Sequence, residues 1–418
     1  MRRSDRTEAH ILLHGEAIGL LWQSQGTTTL ELAQNYWDNP DRAVLGQRFE
    51  EREPSFLRQG SGRLPVWFSN LLPEGRLRSV MADHYGFNER NEFRLLLELG
   101  VDLPGAISVD TEGAYFDNAT TVDSSTTLDD EDDDGLRFSI SGVQLKLSMM
   151  QEGIRLVMPP SGQRGGFIVK FASREYPDLA ENEFSMMRWA HAAGIVVPAC
   201  ELRRIADLGP LPHGFEPLAD TNAYVVERFD RALDESGQTT VHMTHMEDFN
   251  QIVGQWPEHK YRSISFERLG LLVFALCGPE DFDEFVRRLI FCIVIGNEDA
   301  HLKNWSLWYP DRVQPRLSPA YDLISTCVYP ELVRGMSLRL FGDGDPRSVR
   351  IESLRDLASS VGGSASRIET VAHETLERIR VAWSQISGDL PLSQEFVARL
   401  SQYQESLPLC GGSSMLLT

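Results

Sequence analysis

Apolar positions come first in short runs. Ile11-Leu12-Leu13 and Ile18-Gly19-Leu20-Leu21-Trp22 flank the polar turn His14-Gly15-Glu16, which predicts two strands joined as a hairpin. Over residues 91–99 the period lengthens, and Phe93, Leu95, Leu96, Leu97 and Leu99 predict a helix that Gly100 stops. Residues 111–135 lose this patterning. They are rich in Ser, Thr and Asp and end in Asp129-Asp130-Glu131-Asp132-Asp133-Asp134, a density of like charge that repels itself and reads as a linker. The run lacks the glycine and the spaced ligands of an EF-hand.

Alternation resumes over 137–150, and 154–158 is placed to pair with it. Phe167-Ile168-Val169-Lys170-Phe171 is a dense strand signal. Residues 179–193 have helical spacing through Phe184, Met187, Trp189 and Ala190, closed by Gly194. Val196-Val197-Pro198 and Ala223-Tyr224-Val225-Val226 predict further strands. Beyond Phe229 helices dominate: Phe282, Phe285, Val286, Leu289, Ile290 and Ile293 share one face of a helix ending near Gly296, and 369–385 is a long helical stretch. The reading is an α+β chain divided into 1–110, a linker over 111–135, a strand-rich lobe over 136–228 and a helical lobe over 229–418.

The chain of 418 residues carries Lys+Arg 40 against Asp+Glu 61, a formal net charge of -21. Such a surface repels phosphate backbones, which argues against direct DNA or RNA binding. The 5 cysteines, Cys200, Cys277, Cys292, Cys327 and Cys410, show no CxxC spacing, which excludes a cysteine-rich zinc site and fits a reducing cytosol. The most apolar short run, 289–295, is too brief to span a bilayer, so the expectation is a soluble cytoplasmic protein without membrane attachment.

Five segments carry candidate chemistry. Gly296-Asn297-Glu298-Asp299-Ala300-His301-Leu302-Lys303-Asn304 follows the most apolar helix, and Asp299 and Asn304 have the separation found in the catalytic loop of protein kinases. There an Asp takes the substrate hydroxyl proton and an Asn binds Mg²⁺. The pair alone is common by chance. Asp322, in Leu317-Ser318-Pro319-Ala320-Tyr321-Asp322-Leu323, follows a predicted hairpin over 305–309 and the turn Pro310-Asp311-Arg312, which would return it beside Asn304 as a second metal ligand. A capping Asp before a helix reads equally well. Lys170 sits in an apolar strand and needs a partner, for which Glu183 is the candidate; an edge-strand lysine reaching solvent is the alternative. Ser139-Ile140-Ser141-Gly142-Val143-Gln144-Leu145-Lys146 offers phosphate donors or a plain turn. Val225-Val226-Glu227-Arg228-Phe229-Asp230-Arg231 lies at the junction of the two lobes, as a nucleotide hinge or an ordinary connector.

Together these residues resemble the HipA family of bacterial toxin kinases. Gly296 to Asn304 is similar to the family's G-N-x-D-x-H-x-K-N loop, Pro319 to Leu323 to P-x-Y-D-L, and Ser141 to Lys146 to A-G-x-Q-x-K with Ser141 in place of Ala. Glu227 to Arg231 is similar to E-R-F-D-R, Glu247-Asp248-Phe249 to E-D-F, and Lys260-Tyr261 to K-Y. Asn70 to Gly75 matches N-L-L-P-E-G, and Asp102 to Ala106 resembles G-D-x-x-G-A, with Val101 inserted after Gly100.

The resemblance implies a bilobal protein-kinase-like fold, with a small β-rich N-lobe and a helical C-lobe, preceded by an extra β-rich domain. It implies serine/threonine phosphorylation with ATP and Mg²⁺, a cytosolic protein substrate such as an aminoacyl-tRNA synthetase, a helix-turn-helix antitoxin resembling HipB, and DNA contact only through that partner. It also implies autophosphorylation in the phosphate loop, at Ser139 or Ser141. Asp299 would activate the hydroxyl, assisted by Lys303 at the γ-phosphate and by His301, while Asn304 and Asp322 would hold Mg²⁺. Ser141, Gly142, Val143, Gln144, Lys146, Lys170 and Glu183 would serve the phosphates, and Glu227, Arg228 and Phe229 the adenine. A small-molecule kinase of the same fold, or a catalytically weak corepressor, uses the same motifs.

Overall fold

The computed structural model describes residues 7–50, 57–110, 144–160, 162–172, 175–176, 178–211, 221–235, 237–261, 264–332 and 335–416. The acidic run and the phosphate-loop residues Ser139, Ser141, Gly142 and Val143 lie outside them.

The N-terminal part is an antiparallel sheet in the order β4-β3-β2-β1-β5. Its strands are β1 (Thr7–Leu13), β2 (Glu16–Ser24), β3 (Thr27–Leu32), β4 (Leu57–Gln59) and β5 (Ile107–Asp110). The predicted hairpin is β1–β2: His14 and Gly15 turn it with φ of 53 and 81, the left-handed conformation that a two-residue reversal needs. Ile11, Leu13, Leu21 and Leu30 face a core closed by Trp67, Phe68 and helix α2 (Glu92–Leu99), which follows α1 (Gly75–Tyr85). Asn91 caps α2 by accepting the Arg94 amide, and Gly100 follows its last residue as expected.

The second sheet has the order β7-β6-β8-β10-β9, with β6 (Lys146–Glu152), β7 (Arg155–Val157), β8 (Phe167–Lys170), β9 (Cys200–Arg204) and β10 (Asn222–Glu227). Helix α3 (Leu179–Ala192) packs against β9 and β10. The sequence placed a strand at Val196-Val197-Pro198, and this is a correction: those residues are irregular, and the strand is the polar Cys200–Arg204. Proline cannot donate to a ladder, whereas the charges of Cys200–Arg204 suit the sheet edge they occupy.

A small hairpin, β11 (Arg231–Leu233) with β12 (Thr239–Met243), leads into the sheet β13 (His245–Asp248), β14 (Ser306–Tyr309) and β15 (Arg316–Leu317). The remaining body is helical: α4 (Phe266–Cys277), α5 (Pro279–Val294), α6 (Ile351–Ser360), α7 (Ala365–Ile386) and α8 (Gln394–Glu405). The predicted face of α5 is buried throughout, Phe285, Val286, Leu289 and Ile290 being wholly inaccessible. Burial of such side chains contributes about 1.5–3 kcal/mol each. The loop that follows α5 therefore starts from a helix anchored in the core. Among the described residues no helix is long and apolar enough to cross a membrane.

Candidate active site

Gly296 ends α5 with φ 64, and a Cβ there would lie 2.4 Å from Cys327 Sγ. That closeness brings the two candidate loops together. The Gly296 carbonyl accepts the amides of Thr326 and Cys327, both at 3.1 Å, and the Thr326 hydroxyl at 2.9 Å. From the other side Asn182, on α3, clamps Ser325: its Nδ2 donates to the Ser325 carbonyl and its Oδ1 accepts the Ser325 amide, both at 2.9 Å. The 320–327 segment thus has little freedom.

Asp299, Asn304 and Asp322 line one cleft of about 280 Å³, partly open to solvent, together with Gln144, Asn297, Ile324 and Thr326. Asn297 joins the two loops: its Nδ2 donates to the Asp322 carbonyl at 3.1 Å and its Oδ1 accepts the Asp299 amide at 3.1 Å. Asn304 Nδ2 donates to the Asp299 carbonyl at 3.0 Å, which leaves its Oδ1 as the atom for a cation. No helix follows Asp322, so it is not a cap; its φ of 55 is strained for a residue with a side chain. Sequence reasoning gave Asn297 no role, although it fills the second position of the G-N-x-D-x-H-x-K-N motif.

Lys170 lies on β8, an interior strand, and only 6% of it is exposed. Its ammonium donates to Glu183 Oε1 at 2.6 Å and to Asp322 Oδ1. Burial lowers Lys170 and raises Glu183, while each partner's charge opposes that drift; two carboxylates around one ammonium favour the charged lysine. Lys146, paired with Lys170 in register, is lowered by burial and by the nearby Lys303. Gln144 is buried, and its Nε2 has no hydrogen-bond partner among the described residues.

Other motif residues have different employment. Lys303 does not line the cleft: its Nζ sits 2.6 Å from Glu74 Oε1 and donates to the Asn70 carbonyl at 3.0 Å. Lys260 takes Glu74 Oε2 at 2.9 Å. Burial would raise the Glu74 carboxyl, and the Lys303 and Lys260 charges reverse this and hold it well below the usual carboxylate range. His301 is buried, edge-on to Tyr261 at 5.0 Å, and burial with Lys260 nearby lowers it well below 6.5, so it is neutral. It is packed behind the cleft rather than in it.

The Arg228 side chain is engaged away from the cleft. Its guanidinium pairs with Asp102 at 2.8 Å and Asp230 at 2.8 Å, and donates to the Leu103 carbonyl at 3.1 Å. Arg231 joins the same cluster through Asp230 at 2.8 Å and the carbonyls of Gly105 and Leu103. The E-R-F-D-R arginines therefore bind the Asp102–Ala106 turn of the N-terminal domain. The amides of Glu227 and Arg228 are also taken, by the carbonyls of Ala199 and Gly166, both at 2.9 Å. Phe229 faces the body, its ring stacked on Tyr321 at 5.8 Å.

The family comparison decides what this arrangement belongs to. The HipA N-terminal domain matches residues 9–110 and the HipA-like C-terminal domain matches residues 138–383. The chain belongs to the HipA family. It is 35% identical over 411 residues to the Sinorhizobium fredii protein named "Putative kinase Y4dM", covering 96% of this chain and 98% of that one. It is 25% identical to the Shewanella oneidensis "Serine/threonine-protein kinase toxin HipA", covering 83% of each. The solved structure of Shewanella oneidensis HipA, determined with HipB and operator DNA, superposes with a TM-score of 0.75 at 22% identity, covering 97% of this chain and 96% of that chain. The expected α+β kinase-like fold of the HipA family is therefore established.

Proposed function

We propose that this HipA-family chain is an ATP- and Mg²⁺-dependent serine/threonine protein kinase, a toxin held in check by a helix-turn-helix antitoxin. The observation that carries the reading is the convergence of Asp299, Asn304 and Asp322 on one cleft, with Lys170 bridging Glu183 and Asp322 at its back. Oxygen donors from one carboxylate and one amide suit Mg²⁺, which completes its shell with water and phosphate oxygens. Bound between Asn304 and Asp322, the ion would supply charge neutralisation to the transferred phosphoryl group.

The chain's own residues do the rest. Asp299, held by the Tyr261 hydroxyl at its Oδ1, orients the attacking hydroxyl and takes its proton. Lys170 secures the α- and β-phosphates, with Lys146 reaching the triphosphate from the start of β6 and Gln144 from two residues before it. The formal charge of -21 favours a partner that carries the DNA contact, and the Shewanella HipA structure contains HipB and operator DNA. A cytosolic translation protein as acceptor and autophosphorylation at Ser139 or Ser141 complete the proposal.

Incubation with γ-labelled ATP and bacterial lysate tests it. Wild type should label protein bands, and Asp299→Ala should label none. Label confined to small molecules would shift the acceptor class, and equal labelling by both proteins would end the kinase reading.

A further inference from the structure

The N-L-L-P-E-G segment has no part in the chemistry described so far, yet it reaches the catalytic loop. Pro73-Glu74 enters α1 through Gly75, whose φ of 55 allows the chain to turn there. Upstream, Asn70 is fixed on the helical body: its Oδ1 accepts from Asn250 at 2.8 Å, and its Nδ2 donates to the Gln255 carbonyl at 2.9 Å. Downstream, Leu77 and Val80 of α1 pack on the apolar core of the second sheet, beside Leu145 and Leu147. Glu74 therefore hangs between two anchored stretches of the N-terminal domain, one on each lobe.

Its carboxylate is fully used. Oε1 takes Lys303 and Oε2 takes Lys260, at 2.6 and 2.9 Å, and Lys146 lies close enough to feel the same charge. Three ammonium groups surround this carboxylate, and Lys303 is covalently next to Asn304, which lines the cleft. Without Glu74 the lysines repel one another, and Lys303 is left to Asp248 and Glu258, the other carboxylates whose charge it feels.

We propose that Glu74 is a positioning residue of the phosphoryl transfer: it holds Lys303, and through it Asn304, so the N-terminal domain completes the active site of the kinase body. This rests on the kinase reading above. Glu74→Gln keeps the shape and removes the charge. It should lower kcat roughly 10- to 100-fold and raise the Mg²⁺ concentration needed for half-maximal rate by about fivefold or more, with KM for ATP within about threefold. Glu74→Asp retains the charge at shorter reach and should recover part of the rate, and it serves if the glutamine variant does not fold. Because Glu74 acts through Lys303, the double variant Glu74→Gln/Lys303→Gln should be no slower than Lys303→Gln alone. Wild-type rate and unchanged Mg²⁺ dependence in both Glu74 variants would overturn the inference while leaving the kinase reading intact. A wild-type protein that transfers no phosphate in the same assay would overturn both.

Discussion

The Tyr261 hydroxyl donates to Asp299 Oδ1 across 2.6 Å, and the Tyr261 ring lies edge-on to the buried His301. Asp299, the proposed catalytic aspartate, is thus held by a residue from the turn before α4, backed in turn by the buried histidine. Tyr261→Phe keeps the ring packing and removes the hydrogen bond. The expected result is a kcat lowered roughly tenfold, about 1.4 kcal/mol, with KM for ATP unchanged, read by steady-state kinetics. A KM effect of the same size would mean that Tyr261 serves binding instead.

Asp322 shares the Lys170 ammonium with Glu183. Asp322→Asn removes a proposed metal ligand and one of two countercharges, so phosphoryl transfer should fall by about a thousandfold or more. Raising Mg²⁺ should restore little of it. Calorimetric titration with Mg·ATP should show affinity lost alongside the rate.

The Asp230 carboxylate is the shared acceptor of Arg228, Arg231 and the Gly105 amide, the last at 2.7 Å. Asp230→Ala leaves two buried guanidinium groups facing each other with only Asp102 and carbonyls to offset them. Loss of one partner in such a site costs about 3–5 kcal/mol. Urea denaturation should show that loss; a change under 1 kcal/mol would mean the cluster relaxes into solvent.

Glu247 is wholly buried and accepts from Tyr309 at 2.6 Å, the Gln47 amide at 2.8 Å and Trp67 at 3.0 Å. Burial pushes its carboxyl up to about 7, against those three donors. The folded protein therefore holds a proton that the unfolded chain releases near 4.5, and Glu247 makes stability fall as pH rises from about 4.5 to 7. Asp248, pushed up by burial to about 6, acts in the same sense. His245, held at about 4 by burial, acts oppositely between about 4 and 6.5. The difference between wild type and Glu247→Gln isolates one residue: their stability gap should change by up to about 3 kcal/mol across that window. Parallel Tm curves would show that Glu247 keeps one protonation state.

Local pattern revealed much of this molecule. The buried face of α5, the hairpin β1–β2 and the helix after Asn91 follow from spacing alone, because each buries one continuous stripe of apolar residues. Asp299 and Asn304 were recognisable because a short loop carries both. Other features depend on partners far away in the chain. Lys303 meets Asn70 across 233 positions, and nothing near either residue announces the meeting. Arg228 reads as a hinge residue from its neighbours, but its side chain answers to Asp102. The edge strand Cys200–Arg204 was hidden because only Cys200 and Leu202 mark its inner face among charged residues, whereas the valines at 196 and 197 imitate a strand.

The N-terminal domain is riveted to both halves of the kinase body. Arg228, Arg231 and Ser148 fasten its Asp102 turn to the small lobe, and Asn250, Glu247 and the two lysines on Glu74 fasten it to the large one. A jaw splinted along its spine in this way cannot gape by swinging. Under the proposed function, nucleotide would enter and leave by way of side chains and loops at the rim, and the tempo of exchange would be set there.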